Sequence, residues 1–279
     1  MNKKIINSIL YKLQRANQFP LLEKICFAMY KRKGMPIKSV RYLKSLRVWE
    51  FKLDDAYFYS TGPGWVYSHE YLKQQFKENL GYRYFPQAGD VVVDVGAGVG
   101  EELMVFSQAV GSTGKVFAIE AHPFTFKALS NNNAQNRFTN TVLLNCAISD
   151  HDGFIYIEDS ELSLGNRVVT NANGQNIQVK STTLHSLMQE HAIERIDLLK
   201  VNIEGAEQLL IKGIGHSVSK IRNVAISCHD FRFKMEGIEF FKTKKLVVDY
   251  LTDHGFAVET RHTGDAMYDD YVYGNRKAK

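Results

Sequence analysis

A glycine-rich segment follows a short β-branched run and has the composition of a ligand-binding loop. It reads Asp94-Val95-Gly96-Ala97-Gly98-Val99-Gly100. Glycines let the backbone turn sharply and approach a ligand, and a helix that follows presents free N–H groups. A nicotinamide-binding loop has the spacing G-x-G-x-x-G/A, which requires a small residue where this chain has Glu101. The spacing acid-x-G-x-G-x-G therefore disfavours a pyrophosphate and favours a ligand with a cationic centre.

Two further acidic residues stand where the next strands are expected to end. Glu120 lies 26 residues after Asp94, where a carboxylate can accept two hydrogen bonds from a ribose diol. Asp150 follows the third strand, where it or a neighbouring backbone group can bind the amine of an adenine ring. A single acidic residue at a strand end is as often a helix cap or an ion-pair partner as a ligand-binding residue. Acidic residues at the ends of three successive strands, Asp94, Glu120 and Asp150, favour a nucleoside ligand.

An alternation of strands and helices has to bring these residues together. The predicted strands are Val91–Val95, Lys115–Glu120, Thr141–Cys146, Ile196–Val201, Ile221–Ser227, Phe256–Arg261 and Tyr271–Tyr273. The predicted helices are Glu101–Ala109, one after Pro123, Leu184–His191, Ala206–Gly213 and Phe240–His254, with a hairpin over Asp152–Lys180. This order specifies a doubly wound, mostly parallel α/β sheet that binds ligands at the carboxyl ends of its strands. The last two strands predict an antiparallel hairpin at one edge.

The composition is that of a folded globular protein. Of the 279 residues, 44% are hydrophobic and 23% are charged, which excludes a disordered chain. No uncharged apolar run approaches the ~20 residues that a membrane span needs, and no signal-peptide pattern opens the chain. Cys26, Cys146 and Cys228 are far apart, which indicates reduced thiols in a cytoplasmic protein and neither a disulfide framework nor a zinc site.

The positive charge is concentrated at the amino-terminal end. Residues 1–49 contain 12 Lys or Arg and one acidic residue, whereas residues 50–279 contain 23 basic and 29 acidic residues. Apolar stripes at helical spacing predict two amphipathic helices, around Ile5–Leu13 and from Leu21 to Tyr30. Their apolar faces can pack on their own domain or contact an anionic membrane. The basic segment as a whole can also bind nucleic acid. Nucleic acid is the least favoured partner, because the segment has no RNA-binding signature.

An aromatic-rich segment, Phe51–Phe85, separates the basic helices from the alternating strands and helices. Gly62-Pro63-Gly64 interrupts it. Its rings can form the wall of a pocket, since rings stack on flat ligands and sugar faces, or they can form a hydrophobic core. We therefore divide the chain into a basic, helical and aromatic amino-terminal cap, residues 1–85, and an α/β domain, residues 86–279.

Four segments of the α/β domain resemble the ordered motifs of one enzyme family. They are Val91–Glu102, Val116–Asn133, Asn145–Gly153 and Ile196–Gly213. Residues 196–207, IDLLKVNIEGAE, are similar to the signature DllKiDvEGaE of the FkbM-type S-adenosylmethionine-dependent methyltransferases, a branch of the class I Rossmann-like enzymes. The resemblance covers about residues 86–275 and does not include residues 1–85.

The resemblance implies a cofactor and the residues that bind it. S-adenosylmethionine would be the methyl donor and S-adenosylhomocysteine the product, with the glycine loop at the methionine part, Glu120 at the ribose and residues 147–150 at the adenine. The implied binding residues are Asp94, Gly96, Ala97, Gly98, Gly100, Glu120, Ala147, Ile148, Ser149, Asp150 and Asn202. No metal is expected, because no spacing resembles a dedicated metal site.

The signature departs from the family pattern at one position. Asn202 stands where Asp is common, and an amide cannot take up a proton, although it donates and accepts hydrogen bonds. If Asn202 cannot be the base, Glu204 or the pair His229 and Asp230 are the candidates. His229 can be a neutral imidazole base or a structural or substrate-positioning residue. Glu204 and Glu207 can also cap the next helix, where a carboxylate interacts favourably with the positive end of the helix dipole.

The resemblance and these residues predict an O-methyltransferase that acts on a hydroxyl of a sugar, a glycan or a glycan-like metabolite, free or lipid-linked. One alternative is an RNA or protein methyltransferase recruited by the basic amino-terminal helices. Another is a cofactor-binding module without turnover, with Asn202 as the mark of lost catalysis. The expected location is cytoplasmic, with peripheral contact of residues 1–49 at the inner membrane face. The sequence leaves the oligomeric state open.

Overall fold

The structure, a computed structural model, describes residues 3–63, 66–159, 165–169 and 176–276. Its strands are β1 (Ile37–Leu43), β2 (Val48–Leu53), β3 (Tyr57–Ser60), β4 (Val91–Val95), β5 (Lys115–Ile119), β6 (Thr141–Leu144), β7 (Ala147–Ile148), β8 (Gly153–Glu158), β9 (Val168–Val169), β10 (Asn176–Thr182), β11 (Ile196–Val201), β12 (Ile221–Ser227), β13 (Ala257–Thr260) and β14 (Tyr271–Asn275). Its helices are α1 (Lys3–Arg15), α2 (Phe19–Arg32), α3 (His69–Glu78), α4 (Leu103–Val110), α5 (Pro123–Asn136), α6 (Leu184–Glu190), α7 (Glu207–Ile214), α8 (Asp230–Glu236), α9 (Lys244–Asp253) and α10 (Ala266–Asp269).

Seven strands form the central sheet, in the order β13-β14-β12-β11-β4-β5-β6. The five strands from β12 to β6 are parallel, and β14 and β13 are antiparallel at one edge. All six residues of β11 are buried, as expected for a strand covered by helices on both faces. The predicted doubly wound sheet and its edge hairpin are thereby confirmed. The strand order reverses between β4 and β11, which is where such folds bind ligands.

Alternate strand residues pack against helices on opposite faces of the sheet. Val93 and Val95 pack in one core with α6, α7 and α9, and Val92 packs in the other with α3, α4 and α5. Phe76 of α3, a helix that the sequence did not predict, meets Phe106 of α4 at a ring-centroid distance of 4.9 Å. Residues 69–78 therefore pack on the central sheet.

A smaller sheet, in the order β7-β10-β8-β9, is formed by the segment between β6 and α6. The antiparallel pairing of β8 with β10 confirms the predicted hairpin within Asp152–Lys180. Residues 160–164 and 170–175 of that segment lie outside the described residues. β7 pairs with β10 in parallel, which turns the chain away from the central sheet soon after β6.

The amino-terminal cap has a hydrophobic core of its own. α1 and α2 confirm the two predicted helices, and they pack on a sheet of β1, β2 and β3 that the sequence did not predict. Leu22, Cys26 and Tyr30 of α2 are buried together with Trp49 and Phe51. The aromatic residues of β2 and β3 are therefore mostly core, the second of the two predicted possibilities.

The cap contacts the α/β domain along β3 and α5. The Tyr57 N–H donates to Asn136 Oδ1 at 2.8 Å, and Asn136 Nδ2 donates to the Tyr57 carbonyl at 2.9 Å. Asn131 Nδ2 donates to the hydroxyl of Tyr59 at 2.9 Å, and that hydroxyl donates to Glu50 at 2.6 Å. These polar contacts fix the cap on the outer face of α5. A boundary at residue 85 stays a prediction.

Candidate active site

The carboxyl ends of β4, β5 and β11 surround a cavity of about 180 Å³. The predicted site residues that line it are Gly96, Ala97, Gly98, Glu120, Ala147, Ile148, Asn202 and Glu204. They follow four different strands, so the parallel topology brings together residues that are more than a hundred positions apart.

Glu120 follows β5 and is held in a fixed orientation by backbone donors. The Gly98 N–H donates to Oε2 at 3.0 Å, and the His122 N–H donates to Oε1 at 2.9 Å. Burial raises the pKa of Glu120 to about 7, although both donors act in the opposite direction. Each oxygen keeps a lone pair for a ligand, as a ribose-binding carboxylate requires.

Asp94 lies beneath the cavity and forms a buried ion pair. Its Oδ1 is 2.8 Å from Nζ of Lys200, the residue opposite it on β11, and both side chains are at most 1% exposed. Nζ also donates to the Gly96 carbonyl at 3.1 Å. Burial disfavours the charged lysine, but Asp94 and Glu102 outweigh it and raise the pKa of Lys200. Sequence reasoning missed Lys200, although a lysine inside an apolar strand needs a partner.

Gly96 is the loop position where a close approach of two backbones requires glycine. Its φ is +78°, and a Cβ there would lie 2.0 Å from the carbonyl oxygen of Asn202. The Asn202 N–H donates to the Val95 carbonyl at 3.0 Å. The ends of β4 and β11 are therefore in direct backbone contact, and Asn202 lines the cavity beside the glycine loop.

Three other residues predicted to bind the cofactor lie outside the cavity wall. Gly100 faces α5, where a Cβ would lie 2.8 Å from a methyl carbon of Leu129. Ser149 is fully buried, and its N–H donates to the Thr182 carbonyl. Asp150 faces His151, whose hydrogen bond lowers the pKa of Asp150. Since β7 turns the chain onto β10, the structure does not place Ser149 or Asp150 against the cavity.

His229 lies between two carboxylates. Its Nδ1 is 2.9 Å from Glu207 Oε1 and its Nε2 is 3.4 Å from Glu204 Oε1, with the side chain 3% exposed. Burial disfavours the imidazolium, but hydrogen bonds to Glu204 and Glu207 outweigh it and raise the pKa of His229 to about 10. A protonated imidazole has no lone pair to accept a proton. The contacts of His229 therefore disfavour the neutral imidazole base and favour the other predicted possibility, a structural or positioning residue.

Asp230 points away from His229, so the predicted pair does not form. Its Oδ2 accepts hydrogen bonds from the N–H groups of Thr243 and Lys244, at 3.0 and 2.8 Å, where α9 begins. Glu204 pairs with Arg232 instead, at 2.6 Å from Oε2 to Nη1. Burial opposes ionisation of Glu204, but His229 and Arg232 outweigh it and lower its pKa.

Glu204 adopts a left-handed backbone conformation that is rare for residues with a side chain. Its φ is +54°, and such a conformation costs about 1–3 kcal/mol. The ion pairs with His229 and Arg232 hold the turn in place. The predicted capping role is not observed, because the N-cap residue of α7 is Ala206 and no side chain caps this helix. Glu207 Oε1 instead accepts a hydrogen bond from the Gly205 N–H just before α7.

Glu101 and Glu102 precede α4 and also line the cavity. Burial, together with the neighbouring charge of Glu102, raises the pKa of Glu101 to about 8, and Lys200 opposes this shift. Sequence reasoning used Glu101 only as evidence against a pyrophosphate. Its position directly after the last loop glycine was the signal that it could face the same ligand.

The ionisable side chains of the cavity wall are mostly acidic. Its carboxylates are Glu101, Glu102, Glu120 and Glu204, and its one lysine is Lys200. Burial lowers the pKa of His122, which therefore adds no positive charge at neutral pH. A nucleoside with a sulfonium and an ammonium group fits this wall, and a pyrophosphate does not. The residues present therefore fit S-adenosylmethionine.

We expect Lys200→Met to destabilise the protein strongly. Removing one partner leaves Asp94 buried without its counter-charge, which costs about 3–5 kcal/mol in the free energy of unfolding. Urea denaturation measures this change. Adding Asp94→Asn should recover part of the loss. Lys115→Met, at an exposed position of β5, serves as the control. A loss below about 1 kcal/mol for Lys200→Met would show that the pair does not act as a buried ion pair.

We also expect the free energy of unfolding to fall as the pH rises from 6.5 towards 10. The folded protein keeps a proton on His229 up to about pH 10, whereas the unfolded chain releases it near 6.5. Below pH 6.5 the stabilisation by this proton is complete. His229→Gln should reduce this slope, most clearly between pH 8 and 10, where Glu101 and Glu120, with pKa values raised to about 8 and 7, no longer contribute to it. His216→Gln, at an exposed position, should keep the slope. Equal slopes in both variants would contradict a protonated His229.

Comparisons with known proteins identify relatives of the α/β domain. Hexuronic acid methyltransferase AglP of Haloferax volcanii is 26% identical over 141 residues, which cover 50% of this chain and 56% of AglP. The 31-O-demethyl-FK506 methyltransferase FkbM of Streptomyces tacrolimicus is 27% identical over 202 residues, covering 61% of this chain and 74% of that protein. The chain thus spans little more than half the length of AglP.

Solved structures with a similar fold include methyltransferase FkbM from Methylobacillus flagellatus, with a TM-score of 0.47 and 18% identity over 70% of this chain and 45% of that chain. Aeropyrum pernix fibrillarin has a TM-score of 0.45 and 16% identity over 86% of this chain and 98% of that chain. A family model described as the methyltransferase FkbM domain matches residues 94–258, more than half of the chain. The chain belongs to the FkbM family of S-adenosylmethionine-dependent methyltransferases.

Proposed function

We propose that this protein transfers a methyl group from S-adenosylmethionine to a hydroxyl of a sugar, in a glycan or a glycan-like metabolite. The observation that carries the proposal is the cavity at the reversal of strand order, where Glu120 is oriented by the glycine loop and carboxylates outnumber cations. Family membership supports it. Of the relatives, one is named for a hexuronic acid and one for 31-O-demethyl-FK506.

Bound S-adenosylmethionine would supply a methyl carbon on a positively charged sulfur: the acceptor oxygen would attack this carbon in line, and the carbon–sulfur bond would break with its electron pair left on sulfur. The residues of this chain bind and orient both molecules, which provides much of the rate of such a displacement. Glu120 accepts hydrogen bonds from the ribose diol, and Gly96, Ala97 and Gly98 contact the methionine part. Among the described residues, no group of His, Cys, Asp or Glu is arranged to hold a metal ion.

In this proposal Glu204 and His229 are positioning residues. The His229 imidazolium and Arg232 neutralise Glu204 and fix the turn that follows β11. Asn202 lies in the same turn and lines the cavity, where its amide can donate one hydrogen bond and accept another. Asp230 acts further away, by fixing the start of α9.

The first test is binding of S-adenosylhomocysteine, measured by isothermal titration calorimetry. We expect Glu120→Ala to weaken binding about ten- to 100-fold, because hydrogen bonds to a charged group contribute about 1.5–3 kcal/mol. Glu190→Ala, at an exposed position outside the cavity wall, should bind like the wild type. No binding by the wild type at millimolar ligand would overturn the proposed function. Equal binding by both variants would remove Glu120 from the ribose site.

A second measurement separates this function from its alternatives. S-adenosylmethionine labelled in its methyl group is incubated with the protein and with glycan, RNA or protein fractions of a cell extract. Label in the glycan fraction is the expected result. Label only in RNA or protein would favour a recruited methyltransferase, and binding of the cofactor with no label anywhere would favour a module without turnover.

We further propose that the basic amino-terminal helices contact the anionic inner face of the membrane. Lys24, Lys31, Arg32 and Lys33 are exposed on or just after α2, and Leu21 and Ile25 are exposed beside them at 47% and 37%. The larger side chains on the other face of α2 pack in the core of the cap: Phe19, Leu22, Cys26, Phe27, Met29 and Tyr30. No described helix is both long enough and apolar enough to span a bilayer.

Sedimentation with phosphatidylserine vesicles at low salt tests this contact. We expect binding by the wild type and about fivefold weaker binding for each charge removed by Lys31→Gln, Arg32→Gln and Lys33→Gln. The matched control replaces three exposed lysines elsewhere, with Lys234→Gln, Lys242→Gln and Lys245→Gln. A wild-type protein that stays in the supernatant would rule the contact out.

A further inference from the structure

A second cavity, of about 190 Å³, lies between α3, the start of α4 and the start of β14. Glu101 and Glu102 line it as well as the first cavity, so the two cavities share a wall. Tyr271, where β14 begins, pairs with Ser227 at the carboxyl end of β12. The second cavity therefore opens at the same edge of the sheet as the first.

Three tyrosines form much of its wall. Tyr67 and Tyr71 stack with ring centroids 4.8 Å apart and planes 18° apart, and Tyr71 is 46% exposed. Burial, with Tyr71 and Glu101 nearby, raises the pKa of Tyr67 to about 12, and burial also raises the pKa of Tyr271. Their phenols therefore remain protonated and can donate hydrogen bonds. Flat rings with hydroxyl groups suit the apolar face and the hydroxyls of a pyranose.

The polar groups of this wall select against a negatively charged ligand. Glu101 and Glu102 are acidic, Gln75 and Asn79 are amides, and no described Lys, Arg or His belongs to the wall. A sugar carboxylate would therefore meet the carboxylate of Glu102 and, above pH 8, that of Glu101, with no cation in the described wall to bind it. A neutral sugar meets only hydrogen-bonding groups and rings.

We propose that the second cavity binds the acceptor as a neutral pyranose, and that Glu101, in the shared wall, is the catalytic residue that takes the proton of the reacting hydroxyl. This inference rests on the proposed methyltransferase function. As the acceptor oxygen bonds to the methyl carbon, its O–H bond breaks, the electron pair stays on oxygen, and the proton passes to a carboxylate oxygen of Glu101. Solvent later receives that proton.

The surroundings of Glu101 suit a base that works near neutral pH. Glu102 lies beside it, Lys200 faces it from β11, and Tyr67 faces it from the cap. Since the pKa of Glu101 is raised to about 8, its carboxylate becomes available as the pH rises through that value. A general base is most effective when its pKa is close to the working pH.

Saturation-transfer NMR in the presence of S-adenosylhomocysteine tests the sugar site directly. The probes are methyl β-D-glucopyranoside, methyl β-D-galactopyranoside and, as the charged counterpart, methyl β-D-glucuronide. We expect transfer to a neutral glycoside and little to the glucuronide. Tyr67→Ala and Tyr71→Ala should weaken neutral-glycoside binding about two- to tenfold, from the loss of one stacking contact. Tyr82→Ala is the matched control, because Tyr82 is 45% exposed and lies outside the wall.

Calorimetry with S-adenosylhomocysteine on every variant separates this inference from the proposed function. Unchanged affinity shows that the tyrosine variants are folded. If the wild type binds S-adenosylhomocysteine but neither neutral glycoside, or if the tyrosine variants bind them like Tyr82→Ala, the inference is overturned and the proposed function stands. Preferential transfer to the glucuronide would also overturn it.

The role of Glu101 is tested by methyl transfer to the neutral glycoside that binds. We expect the wild-type rate to rise with pH around 8, and Glu101→Gln to lower kcat by about a hundredfold or more and to remove this rise. Glu70→Gln, at an exposed position of α3 outside the wall, should keep the wild-type profile. A Glu101→Gln variant with wild-type kcat and pH profile would exclude Glu101 as the base.

Discussion

The buried ion pair between Lys200 and Asp94 is the interaction on which the site depends. It links β4 and β11 at the point where the strand order reverses. Neither charge is tolerated alone at full burial, so each side chain requires the other. Lys200 also binds the Gly96 carbonyl, and a Cβ at Gly96 would overlap the Asn202 carbonyl. Three contacts therefore hold the floor of the cavity in place: the ion pair, the hydrogen bond from Lys200 to the Gly96 carbonyl, and the close approach of Gly96 to Asn202.

Acidic side chains dominate the space above this floor, and specific contacts limit the repulsion between them. Glu204 is neutralised by His229 and Arg232, and Glu120 accepts hydrogen bonds from two backbone N–H groups. An acid in place of Asn202 would add another carboxylate to the same wall. A protonated His229 has a clear structural role here, because it holds Glu204 and Glu207 together across the turn that leads into α7.

The amino-terminal cap, which lies outside the region of family similarity, lines the second cavity. Its helices and three-stranded sheet bury their own aromatic residues, and Asn131 and Asn136 connect this core to α5. The chain then runs through Tyr67 into α3, which contains Tyr71 and Phe76. Phe76 packs on the central sheet. The same segment thus forms part of the hydrophobic core and the wall of a second cavity beside the first.

The sequence by itself determined the alternation of strands and helices, the glycine loop and the strand-end position of Glu120, because each depends on local composition and spacing. It also supplied the family signature around Asn202. Tertiary structure alone decided which groups meet: Lys200 with Asp94, His229 with Glu204 and Glu207, and Glu101 with two cavities. Protonation states follow from such contacts and from burial, and neither is set by neighbours along the chain. For this reason the expected pairing of His229 with Asp230 failed, although the two residues are adjacent in sequence.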